Sequence, residues 1–196
     1  MDKREQIIYE KGEKLLLERL FMNIEEIQAY VQNTPEECSE PFFQALQELL
    51  ERVEIAQQED KKSTLRYITI SYLQSSLYTG SYKLRMDAYD ERLYSDISET
   101  YVYWSPHFIM KYLEKDMAHF RQHIKAQIPQ VQEYEIMRFM VRYSMHYNQI
   151  ILQFLSDVLE SAMADMQISE PLTVTFGAYM DENVVVIGSR TDLQTD

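Results

Sequence analysis

The chain holds 196 residues, 19 Lys and Arg against 32 Asp and Glu, for a formal net charge of −13. A chain of this length buries roughly 70% of the surface its unfolded form exposes, so its core needs no staples. The lone Cys38 excludes an internal disulfide, and the acidity repels phosphate backbones and anionic membranes, which disfavours nucleic-acid and membrane partners.

The N-terminus is interrupted by charges every few residues and has no apolar stretch of the kind a signal peptide carries. The most apolar region, 136–163, contains Arg138, Arg142, His146 and Asp157, which hydrocarbon would penalise, so no membrane span is expected. A soluble, cytoplasmic protein is the simplest reading. Charge is uneven, with 6 basic and 15 acidic groups in residues 1–60, 10 and 7 in 61–128, and 3 and 10 in 129–196. With 4 Gly and 5 Pro, the composition favours long helices over tight turns.

In the first segment Leu17, Leu20, Ile24, Ile27 and Val31 recur every three or four residues, which predicts a helix with one apolar seam, loosened near its start by Gly12. Thr34, Pro35 and Glu37 form a helix start with Thr34 as cap, and Pro41 repeats the punctuation before a firm helix over 42–58. Residues 64–79 fit either a strand or a helix, and their length tips the reading to helix, with Gly80 as its left-handed cap. Tyr82, Leu84, Met86 and Ala88 alternate with charged residues, so a strand turns at Asp90–Glu91 and returns from Leu93 as a hairpin. Ser105–Pro106 opens a helix carrying Ile109, Leu113, Met117, Phe120 and Ile124. A second long helix covers 131–166, with a bend expected near 144–148. A second hairpin spans 172–188. These elements make one domain, 1–196, of predominantly helical α+β class. It is a bundle of about five helices with two β-hairpins, 82–95 and 172–188, that can join in one small antiparallel sheet.

Three constellations carry possible chemistry. Asp116, His119 and His123 share one side of a helix at metal-ligand spacing, although such spacings arise often by chance and a solvated flank is the simpler account of them. Arg138, Arg142 and His146 lead a polar stripe, continued by Gln149, Gln153 and Asp157, on a helix that is otherwise apolar nearly all round. That stripe is a solvent edge, or it faces acidic side chains of the first helices, or it lines a groove for an anionic ligand. Residues 66–104 interleave tyrosines with Arg66, Lys83, Arg85 and Arg92, as single-stranded nucleic-acid platforms and protein interfaces both do. No phosphate-binding glycine loop, nucleophile elbow or dinucleotide fingerprint occurs. The acidic neighbours of Cys38 would raise its thiol pKa. No catalytic residue is identified and no cofactor is expected. The expectation is a non-catalytic protein acting on a protein partner or as a homo-oligomer. The alternatives are a ligand-binding or enzymatic groove at Arg138, Arg142 and His146, and a single-strand binder at 66–104.

Overall fold

The first helix begins where Asp2 accepts a hydrogen bond from the Glu5 amide at 2.8 Å, which satisfies one of the donors that a helix start leaves unpaired. The computed structural model describes residues 2–165, 172–181 and 183–188. Helix α1 spans Lys3–Asn33 and buries Ile8, Gly12, Leu16, Leu20, Asn23 and Ile27. The expected apolar seam therefore straddles two faces: Leu20 and Ile27 pack inward, whereas Leu17 is 47% exposed.

Helix α2 spans Pro35–Gln58 with Pro35 at its start, and it continues through Pro41 without restarting. Thr34 makes no side-chain cap to α2. Its hydroxyl instead donates to the Tyr30 carbonyl at 2.8 Å, closing the end of α1.

Residues 64–79 do not form the expected helix. Leu65–Tyr72 is strand β1, followed by the short helix α3 over Gln74–Thr79, which Gly80 ends at φ 68° as expected. Ile68, Thr69, Ile70 and Tyr72 are β-branched or aromatic. The strand is covered on both faces, a setting in which such side chains outweigh helical spacing.

The expected hairpin over 82–95 is also corrected. Strand β2 spans Leu84–Asp90, but Leu93–Ser95 forms a single 3₁₀ turn, and the strand that returns is β3, Tyr101–Trp104. A buried ionic cluster holds the intervening connection. The Lys62 ammonium pairs with Asp96 and donates to the Ala88 carbonyl at 2.9 Å, and Asp96 accepts from the Asp90 and Ser98 amides. Asp90 in turn accepts from Ser63 and from the Arg92 guanidinium.

Helices α4 (His107–Gln127) and α5 (Glu133–Asp165) follow, then β4 (Thr173–Ala178) and β5 (Asn183–Ile187), which form the second hairpin as read. The five strands make one sheet in the order β3-β2-β1-β4-β5. Both strand pairs do join in it, but through β1, which runs antiparallel to β2 and parallel to β4. The sheet is thus mixed, since a parallel neighbour needs a long crossover and residues 73–172 supply it.

The inner face of the sheet carries Ile68, Ile70, Met86 and Val174, which meet Phe42 and Leu46 of α2 and Leu159 of α5. Trp104 stacks on Phe154 and takes the edge of Phe42. Beyond this layer α5 packs with α4 and α1. Gly12 allows the close approach: a Cβ there would lie 2.6 Å from Phe139 Cζ and 2.8 Å from Phe120 Cε2, two rings that already stack on each other. Among the described residues, no helix is long and apolar enough to cross a membrane.

Two outcomes follow. Gly12→Ala gains helix propensity of about 1 kcal/mol but overpacks a site whose rings cannot retreat, at roughly 1–3 kcal/mol, so urea denaturation should show a net loss of stability. The Arg92 guanidinium holds the Asp90 carboxyl well below its usual range, and Arg4 lowers that of Glu135. Both folded-state values lie beneath the unfolded ones of about 3.9 and 4.3, so the stability these pairs contribute is present above about pH 4 and lost as pH falls through the folded values. Denaturation midpoints should drop on that acid limb, and Arg92→Met should flatten it.

Candidate functional site

Helices α1 and α5 run parallel along a three-rung seam. Glu5 Oε1 lies 3.4 Å from Arg138 Nη1, the Arg142 guanidinium sits 5.7 Å from the Tyr9 ring centroid, and His146 Nε2 lies 3.3 Å from Glu13 Oε1. Each rung joins residues separated by the same 133 positions, one helical turn apart, as an i, i+4, i+8 stripe on each helix requires. Burial, followed by the Glu13 charge, raises the Tyr9 pKa above its usual range. The polar stripe of α5 thus both faces water and pairs with the first helix.

One layer deeper, the register is fixed by Asp116 of α4. Its side chain is 0% exposed. One oxygen accepts from Arg19 Nε at 2.9 Å, and the other accepts from Asn23 Nδ2, the Tyr143 hydroxyl and the Tyr147 hydroxyl at 3.0, 2.8 and 2.7 Å. Burial first, then the Asp116 charge, pushes both tyrosine pKa values far up, so their hydroxyls remain donors. The reading of Asp116 as a solvated flank residue is therefore overturned. An ionic group at the edge of an apolar stripe goes inward when neighbouring helices bring it this many donors.

The hydrogen bonds to Asp116 come from α1 and α5 and not from the two histidines read with it, although its charge acts on His119. The His119 and His123 rings stack at 4.0 Å, and His123 Nδ1 contacts the His119 carbonyl at 2.8 Å. Burial, together with His123 and Arg19, lowers the His119 pKa. Among the described residues, no group of three or more His, Cys, Asp or Glu side chains is arranged to hold a metal. Cys38 is buried, and that burial, ahead of any acidic neighbour, raises its thiol pKa.

Past the third rung the seam opens into a groove of about 590 Å³. Its apolar lining includes Leu20, Ile24, Val31, Ile150 and Phe154, and its polar lining is His146, Gln28, Gln32, Gln149, Gln153 and Asp157. Of the three stripe residues singled out in the sequence, His146 lines this groove, while Arg138 and Arg142 belong to the rungs beside it. On α1 the groove's stripe continues toward the N-terminus as Phe21 and Leu17, four and eight residues before Glu25 and in line with Ile24 and Gln28. Leu17 is 47% and Phe21 59% exposed. The sequence seam already contained Leu17 and Ile24; Phe21 was missed because a seam read at one angle could not show that α1 has two apolar faces.

The aromatic and basic residues of 66–104 divide between the faces of the sheet. Trp104 and Tyr72 lie on the inner side, against Phe154 and Phe176. Arg85 lies on the outer side over Tyr101 at 3.9 Å, paired with Asp87 at 2.7 Å. Tyr89 and Tyr94 meet edge to face at 5.4 Å near that side, and burial raises the Tyr89 pKa above its usual range.

The outermost rung is exposed, so its pairing is weak. A double-mutant cycle on Glu5→Gln and Arg138→Gln should give a coupling energy of about 0.2–1 kcal/mol, and a larger value would place that rung among the structure-determining contacts.

No protein-family model, curated protein or solved structure matches this chain.

Proposed function

We propose that the chain is a non-catalytic docking protein whose α1–α5 groove receives an amphipathic helix bearing basic residues from a partner protein. The groove carries this reading. Its floor is aliphatic and aromatic, its rim is made of four glutamines with Asp157, and its α1 wall extends through exposed Leu17 and Phe21. The stripe from Leu17 to Val31 is about 21 Å long at ~1.5 Å per residue, a length that suits four turns of a docked helix.

Charge selects the occupant. No Lys or Arg occurs from Leu20 to Glu51 or from Tyr143 to Ser189, so the groove lining holds neither a Lys nor an Arg and its one imidazole, His146, faces Glu13, whereas Glu25, Glu26, Asp157 and Glu160 lie along those helices. The net charge of −13 extends the same preference over the molecule and opposes a second copy as the occupant. Four rim amides provide hydrogen bonds to a docked backbone or side chain, and His146, the imidazole of the lining, is engaged by Glu13 at 3.3 Å with no nucleophile in the lining beside it.

A labelled 18-residue Leu/Lys amphipathic peptide and its Leu/Glu counterpart, followed by fluorescence anisotropy, test the reading. The Lys peptide should bind and the Glu peptide should not. Gln153→Lys and Phe21→Glu should each weaken the complex about tenfold or more. Phe21→Glu makes the protein more acidic, so attraction by charge alone would strengthen binding in that variant. Tighter or unchanged binding there, equal binding of both peptides, or self-association lost in Phe21→Glu would each overturn the proposal.

A further inference from the structure

The outer face of the sheet, turned away from the helices, contains one cross-strand row in which Arg85 of β2, Ser71 of β1, Gly177 of β4 and Asn183 of β5 are register partners. Side chains in one row of a sheet point to one face. The adjoining row is internally satisfied: Asp87 is paired with Arg85, and the Thr175 hydroxyl donates to Thr69 at 3.3 Å. The Ser71 row is not. Among the described residues, the buried side-chain polar atoms without a hydrogen-bond partner are Ser71 Oγ and Asn183 Oδ1, and they stand on either side of Gly177. Ser71 is 0% exposed. Buried polar atoms are nearly always paired, and leaving one unpaired costs about 1–3 kcal/mol, so two in one row call for a common cause.

We infer that this row is a binding site for a neutral, planar, hydrogen-bonding ring of the nucleobase class, seated over Gly177 between Ser71 and Asn183. Gly177 has no side chain, so β4 itself puts none between the two polar groups. Ser71 and Asn183 stand two strand spacings apart, about 9.5 Å between their Cα atoms, which suits a one- or two-ring base once both side chains reach toward it. Asn183 Oδ1 only accepts, so the ligand must present an N–H there. The Ser71 hydroxyl donates or accepts, matching a neighbouring ring nitrogen or carbonyl.

Aromatic rings stand at both ends of the row. The Tyr94 hydroxyl accepts from Asn183 Nδ2 at 3.3 Å, and the Tyr179 ring lies 5.0 Å from the Arg85 guanidinium. Both tyrosines are partly exposed, so rotation of either ring, a fast motion for a surface side chain, opens the row to a ligand and offers it a stacking surface. Charge rules out an anion as the preferred ligand: Arg85 is neutralised by Asp87 with Glu99 at 3.9 Å, and the remaining groups are uncharged. A sugar fits less well, because its several hydroxyls would meet only two unpaired atoms.

Titration of the whole chain with adenosine, guanosine, cytidine and uridine, read by calorimetry and by ligand-detected NMR, tests the inference. At least one nucleoside should bind saturably with Kd below about 1 mM. Ser71→Ala should weaken it about tenfold while leaving the thermal midpoint unchanged or raised, since that variant removes an unsatisfied hydroxyl. Gly177→Val should abolish binding by filling the floor. Binding by none of the four, equal affinity in Ser71→Ala and Gly177→Val, or preference for an oligothymidylate with steep salt dependence would overturn it.

Discussion

A single buried carboxylate sets the arrangement of three helices. Asp116 has no contact with solvent, and its charge is tolerable only because α1 supplies Arg19 and Asn23 while α5 supplies Tyr143 and Tyr147. Four donors from two helices converging on one side chain leave little freedom to slide: a shift by one turn on either helix would strand a charge in the core. The polar cluster therefore acts as a register device that apolar packing alone, with its tolerance for repacking, does not provide. The seam of Glu5, Tyr9 and Glu13 against Arg138, Arg142 and His146 is the surface expression of the same register, and the groove lies where that seam ends.

This separates the parts of the molecule that hold it together from those left for contact. Gly12 and the Phe120–Phe139 stack draw α1 against the bundle at one end. Toward its other end α1 retains Leu17 and Phe21 in water, and α5 presents amides beside them. Exposed apolar side chains aligned along a groove represent a sustained departure from what burial would favour, whereas exposed ion pairs are at ease in water without a partner.

Elements with a single strong period were legible in the sequence. Ile109, Leu113, Met117, Phe120 and Ile124 are all buried along α4, as their spacing requires, and β4 and β5 pair antiparallel within the 172–188 expected for a hairpin. Strand β1 was not legible, because Ile68 and Tyr72 satisfy both periods and only the two flanking strands decide between them. Asp116 was misread for a different reason. Its donors lie 97 and 93 residues before it and 27 and 31 after it, and a chain read locally gives a carboxylate no partner but water. Lys62 at the end of a polar run and Asp96 in a loop are a second such pair, and together they replace the short turn expected after β2 with a longer ordered connection.

The position of β1 bears on the order in which the chain can assemble. Its contacts with β2 close over a few residues through α3, but its parallel pairing with β4 joins positions such as Thr69 and Thr175, 106 residues apart. Loop closure over that distance is entropically unfavourable until the intervening α4 and α5 have folded into an antiparallel pair and shortened the effective span. The hairpin of β4 and β5 is therefore a late arrival, and until it docks, β1 is an open edge rich in isoleucine and tyrosine. Such an edge can be paired by another chain, so the interval before closure is the stage at which this fold is most exposed to aggregation.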